Sequence, residues 1–152
     1  MTATAKNSPL YLDDLHEGDV FTSGEHALDM PQILDFARQF DPQPFHLDEN
    51  AARDTFFGGI AASGWHTAAI TMRLIVDSVP LGNGIIGAGS DVSWPRPTRP
   101  GDVLHVVSTI LTIAPSKSKP DRGLVTVQSE TLNQRGEVCQ RSVARLLVFK
   151  RP

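Results

Sequence analysis

From residue 64 to about residue 79 the chain is apolar on nearly every side. Trp65, Ala68, Ala69, Met72, Ile75, Val76 and Val79 recur at helical spacing as its main stripe, with Ile70 and Leu74 on another face. A helix apolar nearly all round belongs in an interior rather than on a surface. The rest of the chain must therefore supply its cover. Ser63 stands ready to cap the helix start, and Pro80-Leu81-Gly82-Asn83-Gly84 ends it as a turn.

The cover reads as strands. Runs over 85–94, 103–113, 123–132 and 138–149 are rich in β-branched residues and are separated by a proline-rich turn over 95–102, a polar loop over 115–122 and a turn over 133–137. Upstream, 19–28 reads as a short strand with Gly24 as its weak point. Asp29 then caps a helix whose first turn takes Pro31 and whose apolar face is Ile33, Phe36, Ala37 and Phe40. Asp41-Pro42 stops it, because a residue before proline is pushed towards extended geometry. Residues 42–47 hold two prolines and are expected to form a stiff loop rather than regular helix. Asp48 caps a short helix over 49–55. Helices early and strands late indicate an α+β fold, an antiparallel sheet wrapped around the long buried helix. Residues 1–10 are expected to be a flexible tail and 11–152 a single domain.

Composition excludes several classes. At 152 residues, 40% hydrophobic and 20% charged, the chain is ordinary for one folded domain. A formal charge of −3 argues against a general nucleic-acid binder. No run of eighteen apolar residues and no signal-peptide pattern is present, so no membrane partner and a cytoplasmic location are expected. The single cysteine, Cys139, reads as a reduced thiol in a strand. His16, His26, His46, His66 and His105 lack metal-ligand spacing, and no dinucleotide or phosphate-loop fingerprint occurs, so no metal and no cofactor are expected.

The candidate chemistry lies in Asp41-Pro42-Gln43-Pro44-Phe45-His46. A carboxylate and an imidazole five positions apart, stiffened by two prolines, can share one water and move protons near neutral pH. Alone the spacing is common: Asp41 could simply close its helix and His46 could be a polar loop residue. Ser63-Gly64 adds to it. A helix start presents free N–H groups and partial positive charge, and a small residue lets a substrate oxygen approach. Ser63 reads as the cap and Gly64 as a candidate oxyanion donor. His66, beside Trp65, reads as a packed or partly exposed residue. Lys117, Lys119 and Arg122 form a local basic cluster that is either solvated or available to nucleotide phosphates. Phe40, Phe45, Trp65 and Met72 are candidates for an acyl tunnel, although core packing is the default for such residues.

In order along the chain, Phe36-Ala37, Asp41 to Asp48, Ala51-Ala52, Phe57-Gly58-Gly59-Ile60-Ala61, Ser63-Gly64 and Pro100-Gly101-Asp102 resemble the MaoC-like dehydratases, a hot-dog-fold family that includes R-specific enoyl-CoA hydratases. The resemblance covers roughly 11–150. It implies that Asp41 and His46 are a catalytic pair and that Gly64 N–H, beside Ser63, holds a thioester carbonyl. It also implies reversible hydration of a 2-enoyl thioester on coenzyme A or acyl-carrier protein, by a homodimer or higher homo-oligomer. Gln43 stands where the family loop commonly has asparagine, and Ser63 where the family has a histidine before the glycine. These departures point to a subgroup whose substrate need not be a simple straight-chain enoyl-CoA. Two other functions fit the same chain: a hot-dog acyl-CoA thioesterase, and a non-catalytic acyl-CoA-binding domain.

Overall fold

The computed structural model describes residues 8–152, so much of the tail expected over 1–10 lies outside the described residues. Leu10 is paired: it bridges to Leu81, and its N–H donates to Pro80 O at 2.7 Å. The strand expected over 19–28 breaks at Gly24 into β1 (Val20–Thr22) and β2 (His26–Ala27). Helix α1 (Met30–Phe40) begins as its signals require, with the Asp29 side chain accepting from Gln32 N–H and proline in the first turn. Such a cap contributes about 1 kcal/mol.

One local expectation is corrected. The stiff loop after Asp41 contains a single helical turn, α2 (Pro44–Leu47). Pro44 occupies the first helical position, where its missing N–H costs nothing, and Asp48 N–H donates back to its carbonyl at 3.1 Å. Asp48 then caps α3 (Glu49–Arg53) by accepting from Asn50 and Ala51. The long helix, α4 (Gly64–Ser78), follows, and the rest of the fold is strand: β3 (Ile86–Ser93), β4 (Val103–Pro115), β5 (Arg122–Leu132) and β6 (Val138–Phe149).

All strand pairs are antiparallel, in the order β1-β4-β5-β6-β3, with β2 also on β4. The alternation of β4 and β5 sends Leu104, Val106, Ile110, Val125 and Val127 inwards. The inner face is not apolar throughout. The register sets Ser108, Ser129 and Ser142 side by side, and Ser108 and Ser129 share a hydrogen bond of 2.8 Å. This hydroxyl row separates one apolar cluster around Leu28, Ile33 and Leu104 from another around Ile110, Val125 and Leu146.

Helix α4 meets this sheet with a face other than the expected main stripe. His66, Thr67, Ile70, Thr71 and Leu74 are buried, whereas Trp65, Met72 and Val76 stay 63%, 44% and 52% exposed on the single chain. The threonines explain the choice, since β5 and the turn before β4 offer them partners. Thr71 Oγ1 donates to Thr67 O at 2.8 Å and lies 2.6 Å from Thr131 Oγ1, so Thr131 supplies the proton between the two hydroxyls. Thr67 Oγ1 in turn donates to Thr98 Oγ1 at 3.1 Å. Removing one member leaves a buried hydroxyl unpaired. Thr71→Val is expected to lower unfolding free energy by about 1–3 kcal/mol in urea titration. The Thr71→Val/Thr131→Val double variant should lose less than the sum of the two single changes, and strict additivity would contradict this coupling.

Candidate active site

The end of α1, the single turn α2 and the start of α4 converge on one point. Asp41 is the residue that closes α1, its N–H donating to Ala37 O at 2.9 Å. Pro42 ends the helix there, and α2 returns His46 so that its Nε2 lies 3.3 Å from Asp41 Oδ2. His46 is buried, and its other nitrogen, Nδ1, lies 2.6 Å from Ala61 O. A carbonyl only accepts, so Nδ1 carries the hydrogen. In the neutral ring Nε2 is then a lone pair facing a carboxylate. That arrangement is stable only with a proton on Nε2 or a donor such as water between the two groups.

The carboxylate is held in its charged form. Burial pushes the Asp41 carboxyl up, but hydrogen bonds from Gln43 and Ser63 and the charge of His46 outweigh it and leave it below its ordinary value. Gln43 Nε2 donates directly to Asp41 Oδ1. Ser63, fully buried, also accepts from Trp65 N–H at 3.2 Å and so caps α4. Gly64 is the first residue of α4, and its N–H donates to no protein group among the described residues. A side chain at this position would collide with Trp94: a Cβ would sit 2.8 Å from the indole Cε2. The glycine therefore leaves room for the indole.

His46, Gln43, Phe45, Gly64, Thr67 and Trp94 line a cavity of about 460 Å³, and Asp41 reaches it through its 3.3 Å contact with His46. The sequence-derived Asp41, His46, Ser63 and Gly64 are thus brought together. The tunnel candidates divide. Phe45 lines this cavity, and Met72 lines a second one of about 370 Å³ between α4 and the sheet. Phe40 and Trp65 are exposed and line neither. The basic cluster 117–122 lies at the far end of β4 from the Thr98–Asp102 turn, about 40 Å along a strand of 13 residues. There Arg122 pairs with Asp121 and stacks over Phe149. Cys139 is fully buried, and burial pushes its thiol up, which disfavours a nucleophilic thiolate.

One positioning residue carries no local signal. Arg99 donates to Gly59 O at 3.2 Å, to Ile60 O at 3.1 Å and also to Phe57 O. With Ala62 N–H donating to Thr98 O at 2.9 Å, it ties the segment that presents the Ala61 carbonyl to the turn before β4. Its partners lie some 40 residues away in the chain, which no spacing motif exposes.

Comparison with known proteins agrees with this geometry. The family description "MaoC like domain" matches residues 14–132. The chain belongs to the MaoC-like domain family. This MaoC-like domain is 65% identical to a MaoC-like dehydratase from Rhodospirillum rubrum, with a TM-score of 0.93 over 94% of this chain and 99% of that one. It is 34% identical to the Bacillus subtilis protein YdeM, over 82% of this chain and 88% of the relative. An R-hydratase from Pseudomonas aeruginosa, at 24% identity and a TM-score of 0.77, covers 94% of this chain and 88% of its own, and shares the fold. The sheet curled around α4 is the hot-dog fold. Among the described residues no helix is long and apolar enough to cross a membrane.

On α4, His66 stacks on Phe36 with centroids 4.6 Å apart, and its buried Nδ1 has no partner among the described residues. Burial, and secondarily His26, push the imidazole below its ordinary value of 6.5. The unfolded chain then binds a proton that the fold rejects, so stability falls as pH drops through 6.5 towards the lowered folded value. Thermal melts of wild type should show this decline, and His66→Gln should flatten it over that window. An identical pH slope in both would refute the assignment.

Proposed function

We propose that this MaoC-like domain hydrates 2-enoyl thioesters reversibly to 3-hydroxyacyl thioesters. The observation that carries the reading is the direction of His46. With Nδ1 committed to Ala61 O, Nε2 and Asp41 Oδ2 together form a seat for one donor molecule. A water held there gives its oxygen to C3 of the substrate. One proton of that water passes to the Asp41/His46 pair, and the pair returns a proton to C2. The double bond is consumed, one C–O and one C–H bond form, and dehydration runs the same path backwards. Gly64 N–H, unpaired at the head of α4, holds the thioester oxygen, where enolate charge develops. No cofactor is called on. The 65% identity to a protein described as a dehydratase supports the same chemistry.

A second copy of the chain completes the assembly. Trp65, Met72 and Val76 form an exposed apolar face on α4, and among the described residues β3 is an edge strand with only β6 beside it. Both features are normally covered in a stable protein. Wild type is expected to sediment at about twice its 16.5 kDa chain mass, and Val76→Glu to shift it towards one chain. A monomeric wild type would remove this part of the reading.

The pair is tested by Asp41→Asn and His46→Ala, with folding checked by circular dichroism. Crotonyl-CoA hydration should fall by about 10²- to 10⁴-fold in each. Unchanged hydration would refute the pair. Release of free thiol from acyl-CoA by wild type would instead point to thioester hydrolysis, and tight acyl-CoA binding without turnover to a carrier role.

A further inference from the structure

The two cavities meet at one side chain. The first is walled by His46, Gly64, Thr67 and Trp94, and the second begins one helical turn further along α4, at Ala68 and Thr71, and includes Gln140. They have no lining residue in common. At the join, Trp94 Nε1 donates to Gln140 Oε1 at 2.9 Å. The indole is fixed on its other sides as well. It lies against the bare backbone of Gly64, and the Trp65 ring meets it edge-on at 5.4 Å. Pro95 and Pro97 follow directly and stiffen its backbone. Beyond it the second cavity is walled largely by apolar groups, among them Met72, Ile75, Ile85, Val127 and Leu146. That lining suits a hydrocarbon chain, and the indole with its Gln140 bond stands between it and the His46 cavity.

We infer that Trp94 sets the length of acyl group this protein accepts. Resting on the acyl-thioester reading above, the inference is that the indole ends the His46 cavity and confines the chain to short acyl thioesters. The space beyond it takes additional methylenes only when the indole is removed or released from Gln140. Gln140 acts here as a positioning residue for the indole.

Equilibrium binding of saturated butyryl-, hexanoyl-, octanoyl- and decanoyl-CoA tests this without any turnover, with free coenzyme A as the reference. For wild type, affinity should stop rising after the shortest chains. For Trp94→Ala it should continue to rise, by up to about fourfold per methylene, the value of burying each one in an apolar cavity. Gln140→Leu, which frees the indole without deleting it, should shift the profile in the same direction by less. Wild type that gains affinity steadily to decanoyl-CoA would overturn the inference whatever the variants do, as would absence of binding to all four thioesters. Folded variants with the wild-type profile would overturn it too. A profile that breaks at short chains in wild type and extends in Trp94→Ala, with no crotonyl-CoA hydration, would leave the wall standing and remove the hydratase reading alone.

Discussion

A helix of 15 residues can be sealed into this fold only because the sheet answers the hydroxyls on its inward face. Thr67 and Thr71 bring polar groups into an interior that would otherwise penalise each of them by about 1–3 kcal/mol if left unpaired. Thr98 and Thr131 meet them, and a row of serines continues the polar band across β4, β5 and β6. The band fixes how far α4 can slide or rotate against the sheet, because a displaced helix would strand its hydroxyls. The position of the helix start, and so of Ser63 and Gly64, follows from that register.

The site inherits its geometry from the same anchor. Asp41 and His46 arrive from α1 and α2, but the group that orients the imidazole, Ala61 O, belongs to the segment leading into α4. A single acceptor decides which nitrogen carries hydrogen and which faces the carboxylate. Ser63 serves twice, capping α4 and helping to hold the Asp41 carboxyl in its charged form, so the helix head and the acid are coupled through one side chain.

Much of this was legible in the sequence because the signals were local. Asp29, Asp48 and Ser63 announced three helix starts, and strand-like runs between turns announced β3 to β6 within a few residues. Gln43 and Ser63, marked as departures from the family loop, are two of the side chains that hold the Asp41 carboxyl below its ordinary value. Two kinds of feature stayed hidden. The face of α4 that turns inwards could not be ranked by hydrophobicity, since its buried residues include two threonines and a histidine. Arg99 and Trp94 act on partners 39 to 46 residues distant, so only the folded arrangement displays them. The turn of helix at Pro44 was misjudged because two prolines nearby outweighed the one position where proline starts a helix well.

Arg99 also decides which parts of the molecule open together. Its guanidinium binds carbonyls of Phe57, Gly59 and Ile60 from the turn ahead of β4, where Gly101 adopts a φ of +89° and Asp102 Oδ2 accepts from Arg99 N–H at 2.8 Å. The segment beside His46 is thereby fastened to the turn before β4 as well as to α2, where Phe45 O accepts from Ala61 N–H at 3.1 Å. In the language of local unfolding, it belongs to one cooperative unit with both. Its opening, and with it the loss of the carbonyl that aims the imidazole, is coupled through Arg99 to the head of β4 and through Phe45 O to α2.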